Sequence, residues 1–560
     1  METTAKEQCN IVADVLINHG VKRFVISPGS RNAPLIVALA RRKDIERYVV
    51  VDERSAAFIA LGLAQQTSEP VGIVCTSGTA LLNYAPAVAE AYYQKLPIIV
   101  ISADRPREWI DQDDSQTIRQ FEALGQFVKK SYNLPSRCND DTARWYANRI
   151  VNDAITEATR GQNAPVHINV EINEPLNETT DIIATQRIIN AIEPSTRLDQ
   201  ATIDLLATEA KDKNILIIAG FGNGNSQLSQ VLGRLSQYPN ISILTETIAN
   251  VNEKADIIHA IDRTLLAMGE ESRNQYTPDL LITIGGALIS RIVKNFLRNN
   301  KPKTHWHIGI TDTTVDCMQS LTKRILSEPH VVLEQIESRI KNENSSYHDM
   351  WKELAEEGLS RHNDKVTNAP WSDLKAFATI IPAIPAGYHV QLSNGTTIRY
   401  AQLFGDRLIQ HNNCNRGVSG IDGSTSTALG ASLAYPTGNT LLITGDMSFS
   451  YDLSGLASQY NSPRFKIIVI KNGGGGIFRF IKNTSSLPEL ENYLEVSRDI
   501  PVGKYAEAFG FNYYEANSEE SLKKQLPIFF ADADKPSILA VISDKYDSAK
   551  TLKNYFSNNK

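Results

Sequence analysis

Two turns in the last third of the chain carry the residues best suited to chemistry. Gly445-Asp446-Met447 closes an apolar run, and 24 residues (448–471) separate it from Asn472. Asn472 in turn ends the run Lys466–Ile470 and opens Gly473-Gly474-Gly475-Gly476. Parallel sheets bind ligands at the carboxyl ends of their strands, so these turns place a carboxylate, an amide oxygen and glycine-loop carbonyls around one point. Three oxygen donors suit a Mg²⁺-like ion that also holds phosphate oxygens, and glycine lets the backbone approach a diphosphate closely. The first third supplies a lone carboxylate. Tyr48-Val49-Val50-Val51-Asp52-Glu53 reads as the end of a buried strand, followed by a helix of Ala, Gly, Leu and Ile. Glu53 is there either a helix N-terminal charge or a buried acid whose desolvated carboxyl exchanges protons near neutrality.

Other candidate motifs have simpler readings. Ile215–Ala219 runs into Gly220-Phe221-Gly222-Asn223-Gly224, and Glu246 follows a later strand. A nicotinamide-binding turn needs G-x-G-x-x-G, whose third glycine packs the helix on the strand; the spacing here is G-x-G-x-G, which favours a scaffold turn. His305 and His307 flank Trp306 on one strand face with no third ligand in view, the pattern of strand packing rather than a metal site. No Walker A, H-E-x-x-H or G-x-S-x-G sequence occurs.

The elements that must hold these residues alternate between short β-branched runs and helical stretches. Phe24–Ser27, Tyr48–Val51, Val71–Cys75, Ile98–Ser102 and Val166–Ile172 read as strands, with helices at Ser55–Gln65 and Ala80–Gln94 between them. Ile215–Ala219, Ile241–Thr245, Leu280–Ile284 and His305–Ile310 continue the style, as do Thr440–Thr444, Lys466–Ile470 and Ser537–Ile542. This predicts an α/β protein of three doubly wound parallel-sheet domains. The polar stretches Asn173–Gln200 and Lys341–Asp373 divide them, giving expected domains 1–180, 181–345 and 346–560. The ends of the chain repeat each other. Ala60-Leu61-Gly62 recurs as Ala428-Leu429-Gly430, Ile98-Ile99-Val100 as Ile467-Ile468-Val469, and Pro165-Val166 as Pro536-Ser537, at offsets of 368 to 371 residues. The near-constant offset predicts two related sheets around a different, Rossmann-like spacer.

The composition sets the outer bounds. With 560 residues, 42% of them hydrophobic, about three domains are expected. A balance of 57 basic against 63 acidic side chains gives a net charge of -6 and no field that would draw nucleic acid or an anionic membrane. Five scattered cysteines without C-x-x-C support neither a disulfide framework nor a thiolate zinc site. The N-terminal residues lack a signal-peptide pattern, and no run reaches the ~20 apolar residues of a membrane span. A cytoplasmic protein is expected.

The pairing of Gly445-Asp446 with Asn472 resembles the diphosphate and metal signature of thiamine diphosphate enzymes, whose pyrimidine-binding, middle and diphosphate-binding domains match the layout above. Within them the chain is similar to the synthases of menaquinone biosynthesis. The matching motifs are Ser27-Pro28-Gly29-Ser30-Arg31-Asn32-Ala33-Pro34-Leu35, Thr76-Ser77-Gly78-Thr79-Ala80 and Ala103-Asp104-Arg105-Pro106. Asn173-Glu174-Pro175-Leu176 and Asn415-Arg416-Gly417-Val418-Ser419-Gly420-Ile421-Asp422-Gly423 complete the set. The resemblance implies decarboxylation of 2-oxoglutarate and addition of the succinyl unit to isochorismate, with thiamine diphosphate and Mg²⁺ or Mn²⁺ as cofactors.

The same resemblance assigns roles. Glu53 would bind and activate the cofactor's pyrimidine. Asp446, Asn472 and the Gly474 carbonyl would hold the metal, with Gly445, Met447 and Ser448 beside the diphosphate. Ile421 would prop the bent cofactor, and Ile477 and Phe478 would pack against it. Ser30, Arg31, Arg105, Gln116 and Arg291 would hold isochorismate; Arg399 and Arg416 would meet the succinyl carboxylate, and Asn394 would bind substrate. It also implies a homodimer or homotetramer with the site at a subunit interface. The sequence departs from the family where a Lys-Arg pair reads Ser290-Arg291 and where a serine expected near Asn394 reads Gly395. The loop Asn472–Gly476 carries extra glycine, and no histidine pair accompanies the motifs. Another thiamine diphosphate-dependent decarboxylase or carboligase, and a nicotinamide-dependent dehydrogenase built on Gly220–Gly224, are the competing readings.

Overall fold

The β-branched runs form the strands of three parallel sheets flanked by helices in the computed structural model, which describes residues 2–181, 184–251, 256–408 and 411–557. Two compact units result, one of residues 1–194, 415–437 and 451–461, the other of 195–414, 438–450 and 462–560.

In the first unit the six strands lie in the order Glu46–Val49, Arg23–Ile26, Val71–Cys75, Ile98–Asp104, Val166–Glu171, Ser131–Leu134. The central strands Val71–Cys75, Ile98–Asp104 and Val166–Glu171 are buried along their whole length, as a sheet covered on both faces requires. The strand before Glu53 corrects the sequence reading. It ends at Val49, lies at the sheet edge, and leaves Val49 47% and Val51 77% exposed, so it is not a buried strand. The expected helix Ala80–Gln94 is two, Thr79–Asn83 and Ala85–Gln94, because Pro86 has no N–H to carry one helix through.

The helix Glu53–Thr67 starts at Asp52, whose carboxylate accepts from the N–H groups of Arg54 (2.9 Å) and Ser55 (3.3 Å). It packs against the helix Ser424–Ala434 with the two repeated Ala-Leu-Gly segments at the crossing. A Cβ on Gly62 would lie 2.0 Å from the Thr427 carbonyl oxygen, and one on Gly430 would lie 2.0 Å from that of Ile59. The contact is thus reciprocal, each glycine admitting the backbone of the other helix. Beside it, Asp452 is fully buried and accepts from Ser426 N (2.7 Å) and Ser426 Oγ (2.9 Å).

The second unit holds two sheets. One runs Ile241–Thr245, Ile215–Ala219, Leu280–Ile284, Thr304–Ile308, Lys323–Ile325; the other Asn412–Cys414, His389–Leu392, Thr440–Gly445, Phe465–Lys471, Ser537–Ile542, Asn512–Ala516. Counted along the chain, the latter has the same spatial order of six strands as the N-terminal sheet, so the sequence repeat is a repeat of topology. The polar stretch Lys341–Asp373 contains a 21-residue helix, Tyr347–Thr367, whose apolar positions Tyr347, Trp351 and Leu354 are buried. His305 and His307 share the Thr283 hydroxyl at 2.9 and 3.0 Å on their strand face. Burial brings the His305 imidazole down to about 4, which keeps it a neutral packing group.

Two outcomes follow from the crossing. Gly62→Ala is expected to destabilise the protein by about 1–3 kcal/mol or more, the cost of overpacking, as a lower urea midpoint; an unchanged midpoint would contradict the contact. Burial raises the Asp452 carboxyl to about 6, above its unfolded value near 3.9. Its charge therefore costs stability above about pH 6 and nothing below about pH 4. Asp452→Asn retains both serine contacts and should stabilise the unliganded protein by about 1–3 kcal/mol at neutral pH. That gain should vanish near pH 4 in paired urea titrations.

Candidate functional site

The second unit brings the two turns together. The strand Thr440–Gly445 gives way directly to a short helix opened by Asp446, and Phe465–Lys471 to Asn472. Asp446 Oδ2 accepts from Gly473 N at 2.8 Å, and its Oδ1 from Met447 N at 2.8 Å. Burial raises this carboxyl to about 6 against those two donors, with Asp373 nearby adding to the rise. A buried carboxylate beside a second one gains most from a cation. Gly473 (φ 83) and Gly474 (φ 144) adopt backbone that disfavours other residues, and a Cβ on Gly474 would meet the Glu495 carbonyl at 2.9 Å. Glycine there is a steric requirement.

Sequence reasoning missed Asp373. It is buried at the start of the helix Asp373–Ala383, where it reads only as an acid in a first turn. Asn472 Nδ2 donates to its Oδ2 at 2.9 Å, while Ser543 Oγ (2.5 Å) and Ser548 Oγ (3.1 Å) donate to its Oδ1. With its nitrogen so engaged, the Asn472 amide offers its oxygen to other partners. Asp446, the Asn472 oxygen and the Gly474 carbonyl are all oxygen donors, the set a Mg²⁺ or Mn²⁺ ion on a diphosphate takes, so the residues fit that group. Gly445, Met447 and Ser448 stand in the same turn, and Ile477 and Phe478 open the helix Ile477–Phe480 just beyond the glycines.

Elsewhere in this unit, Arg291 opens the helix Arg291–Asn299 and is exposed. The preceding Ser290 caps that helix, accepting from Val293 N at 3.1 Å and bonding its hydroxyl to the buried Asp262. Position 290 thus serves the backbone, which accounts for serine where a cation was expected. Asp262 is pushed up by burial and lies in the field of Arg399 and Lys294. Arg399 reaches the Gly395 carbonyl, and Gly395 at φ 92 occupies backbone that suits glycine better than serine; Asn394 beside it is buried. Glu246 spends its carboxylate on Ile289 N and Ser290 N at 2.7–2.8 Å. A Cβ on Gly220 would strike the Gly286 carbonyl at 2.3 Å. The Gly220–Gly224 turn is therefore packed scaffold, and the acid that a ribose would need is already bonded to backbone.

The first unit holds the remaining residues. Glu53 is half-buried at its helix start, not sealed off as a buried acid. Arg31 is buried, donating to the Ile172 carbonyl at 3.0 Å and to Glu174 at 3.1 Å, while Ser30 beside it is exposed. Arg105 pairs with Asp114 at 2.7 Å and bonds the Ser115 carbonyl at 3.0 Å. Gln116 donates to the Ser77 carbonyl at 3.1 Å. Asp104 ties these together: it accepts from Arg105 N (2.8 Å) and Asn169 Nδ2 (2.9 Å) and feels the charge of Arg31. Burial raises it to about 6. Arg416 is half-buried, and Ile421 is 37% exposed on the loop before Ser424–Ala434.

Two family models match, the thiamine pyrophosphate enzyme N-terminal TPP binding domain over residues 8–123 and its C-terminal TPP binding domain over 396–541. The 2-succinyl-5-enolpyruvyl-6-hydroxy-3-cyclohexene-1-carboxylate synthase of Porphyromonas gingivalis is 40% identical over 98% of this chain and 97% of its own. The chain belongs to this synthase family. Proteins of the same name from Flavobacterium psychrophilum (38% identical, 98% of each chain) and Bacteroides thetaiotaomicron (36%, 99% of each) are similar over the same extent. The protein is accordingly a thiamine diphosphate-dependent enzyme, with the synthase family's two cofactor-binding regions on its two related sheets.

The Asp373–Asn472 bond generates one expectation. Asp373→Ala should weaken thiamine diphosphate binding in Mg²⁺ by ~10- to 100-fold, as removal of a ligand's supporting partner commonly does. Asp373→Asn, which keeps an acceptor oxygen, should lose less. Calorimetric titration measures both, and equal affinity in the alanine variant would refute the role.

Proposed function

We propose that the protein joins 2-oxoglutarate to isochorismate, with loss of CO₂, to give 2-succinyl-5-enolpyruvyl-6-hydroxy-3-cyclohexene-1-carboxylate in menaquinone biosynthesis. The observation that carries this reading is the full-length similarity to synthases of that name, joined to the Asp446–Asn472–Gly474 donor set. Bound thiamine diphosphate supplies the electron sink that stabilises the carbanion left by decarboxylation. The chain's own groups bind, orient and move protons around it. Asp446, Asn472 and the Gly474 carbonyl would hold Mg²⁺ or Mn²⁺ on the diphosphate, beside Gly445, Met447 and Ser448. Glu53 would hold and pass a proton at the pyrimidine ring.

Both substrates are dianions in a protein of net charge -6, so capture falls to local arginines, whose planar forks match carboxylates. Ser30, Arg31, Arg105, Gln116 and Arg291 would take isochorismate, Arg399 and Arg416 the succinyl end, and Asn394 would bind substrate. Ile421, Ile477 and Phe478 would pack on the cofactor. A second copy of the chain would cover the exposed apolar side chains around the Glu53 helix, Val49, Val51, Val418 and Tyr451, making the enzyme a homodimer or a dimer of dimers. Domains of 1–180, 181–345 and 346–560 and a cytoplasmic location belong to the same reading; among the described residues no helix is long and apolar enough to cross a membrane.

Incubation with 2-oxoglutarate, isochorismate, thiamine diphosphate and Mg²⁺ tests the proposal. An isochorismate-dependent adduct is expected, and 2-oxoglutarate consumption without one would point to another carboligase. Glu53→Gln should lower turnover by ~100-fold or more, the scale of general acid–base catalysis, and leave cofactor affinity nearly unchanged.

A further inference from the structure

In sequence, the loop Arg416–Ile421 joins the strand Asn412–Cys414 to the helix Ser424–Ala434. Ser419 sits at φ 70, a region costly for a residue other than glycine. Its restraint comes from the helix Ala85–Gln94, through a carboxylate 327 residues away in sequence. Glu90 is 3% exposed; its Oε1 accepts from Gly417 N at 2.6 Å and its Oε2 from Val418 N at 2.7 Å. The approach is close enough to dictate the loop residue. A Cβ on Gly417 would lie 2.6 Å from the Glu90 carbonyl oxygen, 3.0 Å from Oε1 and 3.0 Å from Tyr93 Cβ.

The carboxylate is itself held. Gln94 Nε2 donates to Glu90 Oε1 at 2.6 Å, and Gln65 Nε2 donates to Gln94 Oε1 at 2.9 Å, with both glutamines buried. Gln65 lies on the helix that begins with Glu53. A buried chain of side-chain bonds therefore runs from that helix, through Ala85–Gln94, to the loop. A buried carboxylate left without such donors would be expensive, so loop and helix fix each other.

We propose that Glu90 is a positioning residue for the reaction: through Gly417 and Val418 it sets the loop that presents Arg416 to the substrate carboxylate and Ile421 to the cofactor. This rests on the functional reading above for what Arg416 and Ile421 touch. The effect of Glu90 passes through backbone amides of the loop, so its loss should misplace Arg416 rather than unfold the sheet.

The test uses Glu90→Gln, whose amide nitrogen would face a backbone N–H, and independently Gly417→Ala, whose methyl group would push the loop off the helix. Each is expected to raise the KM for 2-oxoglutarate by ~10- to 100-fold, the cost of misplacing a binding group by about an ångström, with a smaller change in kcat. Hydrogen exchange of residues 416–421 should rise in both. The double variant should be no worse than the worse single, because both cut one link. Multiplying effects in the double variant, or unchanged KM and exchange in either single, would overturn the role. A wild-type enzyme without 2-oxoglutarate turnover would instead sink the functional reading, and the exchange measurements alone would then decide whether Glu90 holds the loop.

Discussion

The close approach of two helix backbones at Gly62 and Gly430 is the constraint on which the first unit depends. Each glycine admits a carbonyl of the opposite helix, Thr427 for one and Ile59 for the other. Any side chain at either position would force the helices apart by more than the packing around them tolerates. The need for small residues at such a crossing explains why Ala-Leu-Gly appears twice at an offset of 368 residues. It also explains why residues 415–437 and 451–461 fold with the N-terminal 194. Residues that the proposed function assigns to cofactor and substrate sit at the ends of the crossing. Glu53 begins one helix, while the other follows the loop carrying Arg416 and Ile421, so the pitch of the pair sets both.

Much of this was legible in the sequence because parallel sheets covered on both faces need continuous apolar strands. Val71–Cys75, Ile215–Ala219, Ile241–Thr245, Leu280–Ile284 and Ser537–Ile542 begin and end where the β-branched runs do. Among the strands that pattern reading passed over, Ser131–Leu134, Lys323–Ile325, Asn412–Cys414 and Asn512–Ala516 lie at sheet edges, while His389–Leu392 is short and lies inside its sheet. Their burial comes from tertiary contacts that a local window does not contain. The edge strand Glu46–Val49 misled in the opposite direction, because valines there face solvent in the single chain.

The candidate site divides in the same way. Asp446 and Asn472 were legible because each stands at a strand end beside glycine, a local signal. Asp373 and Glu90 were not. Each is one acid in a helix, and its meaning resides in a partner 99 or 327 residues away. Hydrogen bonds across such separations leave no trace in composition or periodicity. The departures at Ser290 and Gly395 became intelligible for a related reason: one position caps a helix and the other needs a positive φ, requirements that backbone geometry alone reveals.

The arginines of the first unit that the proposed function assigns to substrate are already paired within the chain. Arg31 is buried and would be costly without a partner; Glu174 and the Ile172 carbonyl supply one. Asp114 does the same for Arg105. On the function proposed above, substrate carboxylates arriving at these guanidinium groups would exchange with protein carboxylates already there rather than meet bare charge. Such an exchange keeps the number of ion pairs nearly constant, so the net binding energy is far smaller than the Coulomb attraction of one new pair at that distance. Selectivity then comes from fit. A rigid dianion satisfies several fixed forks at once, whereas Glu174 and Asp114, on separate segments of the chain, each satisfy one.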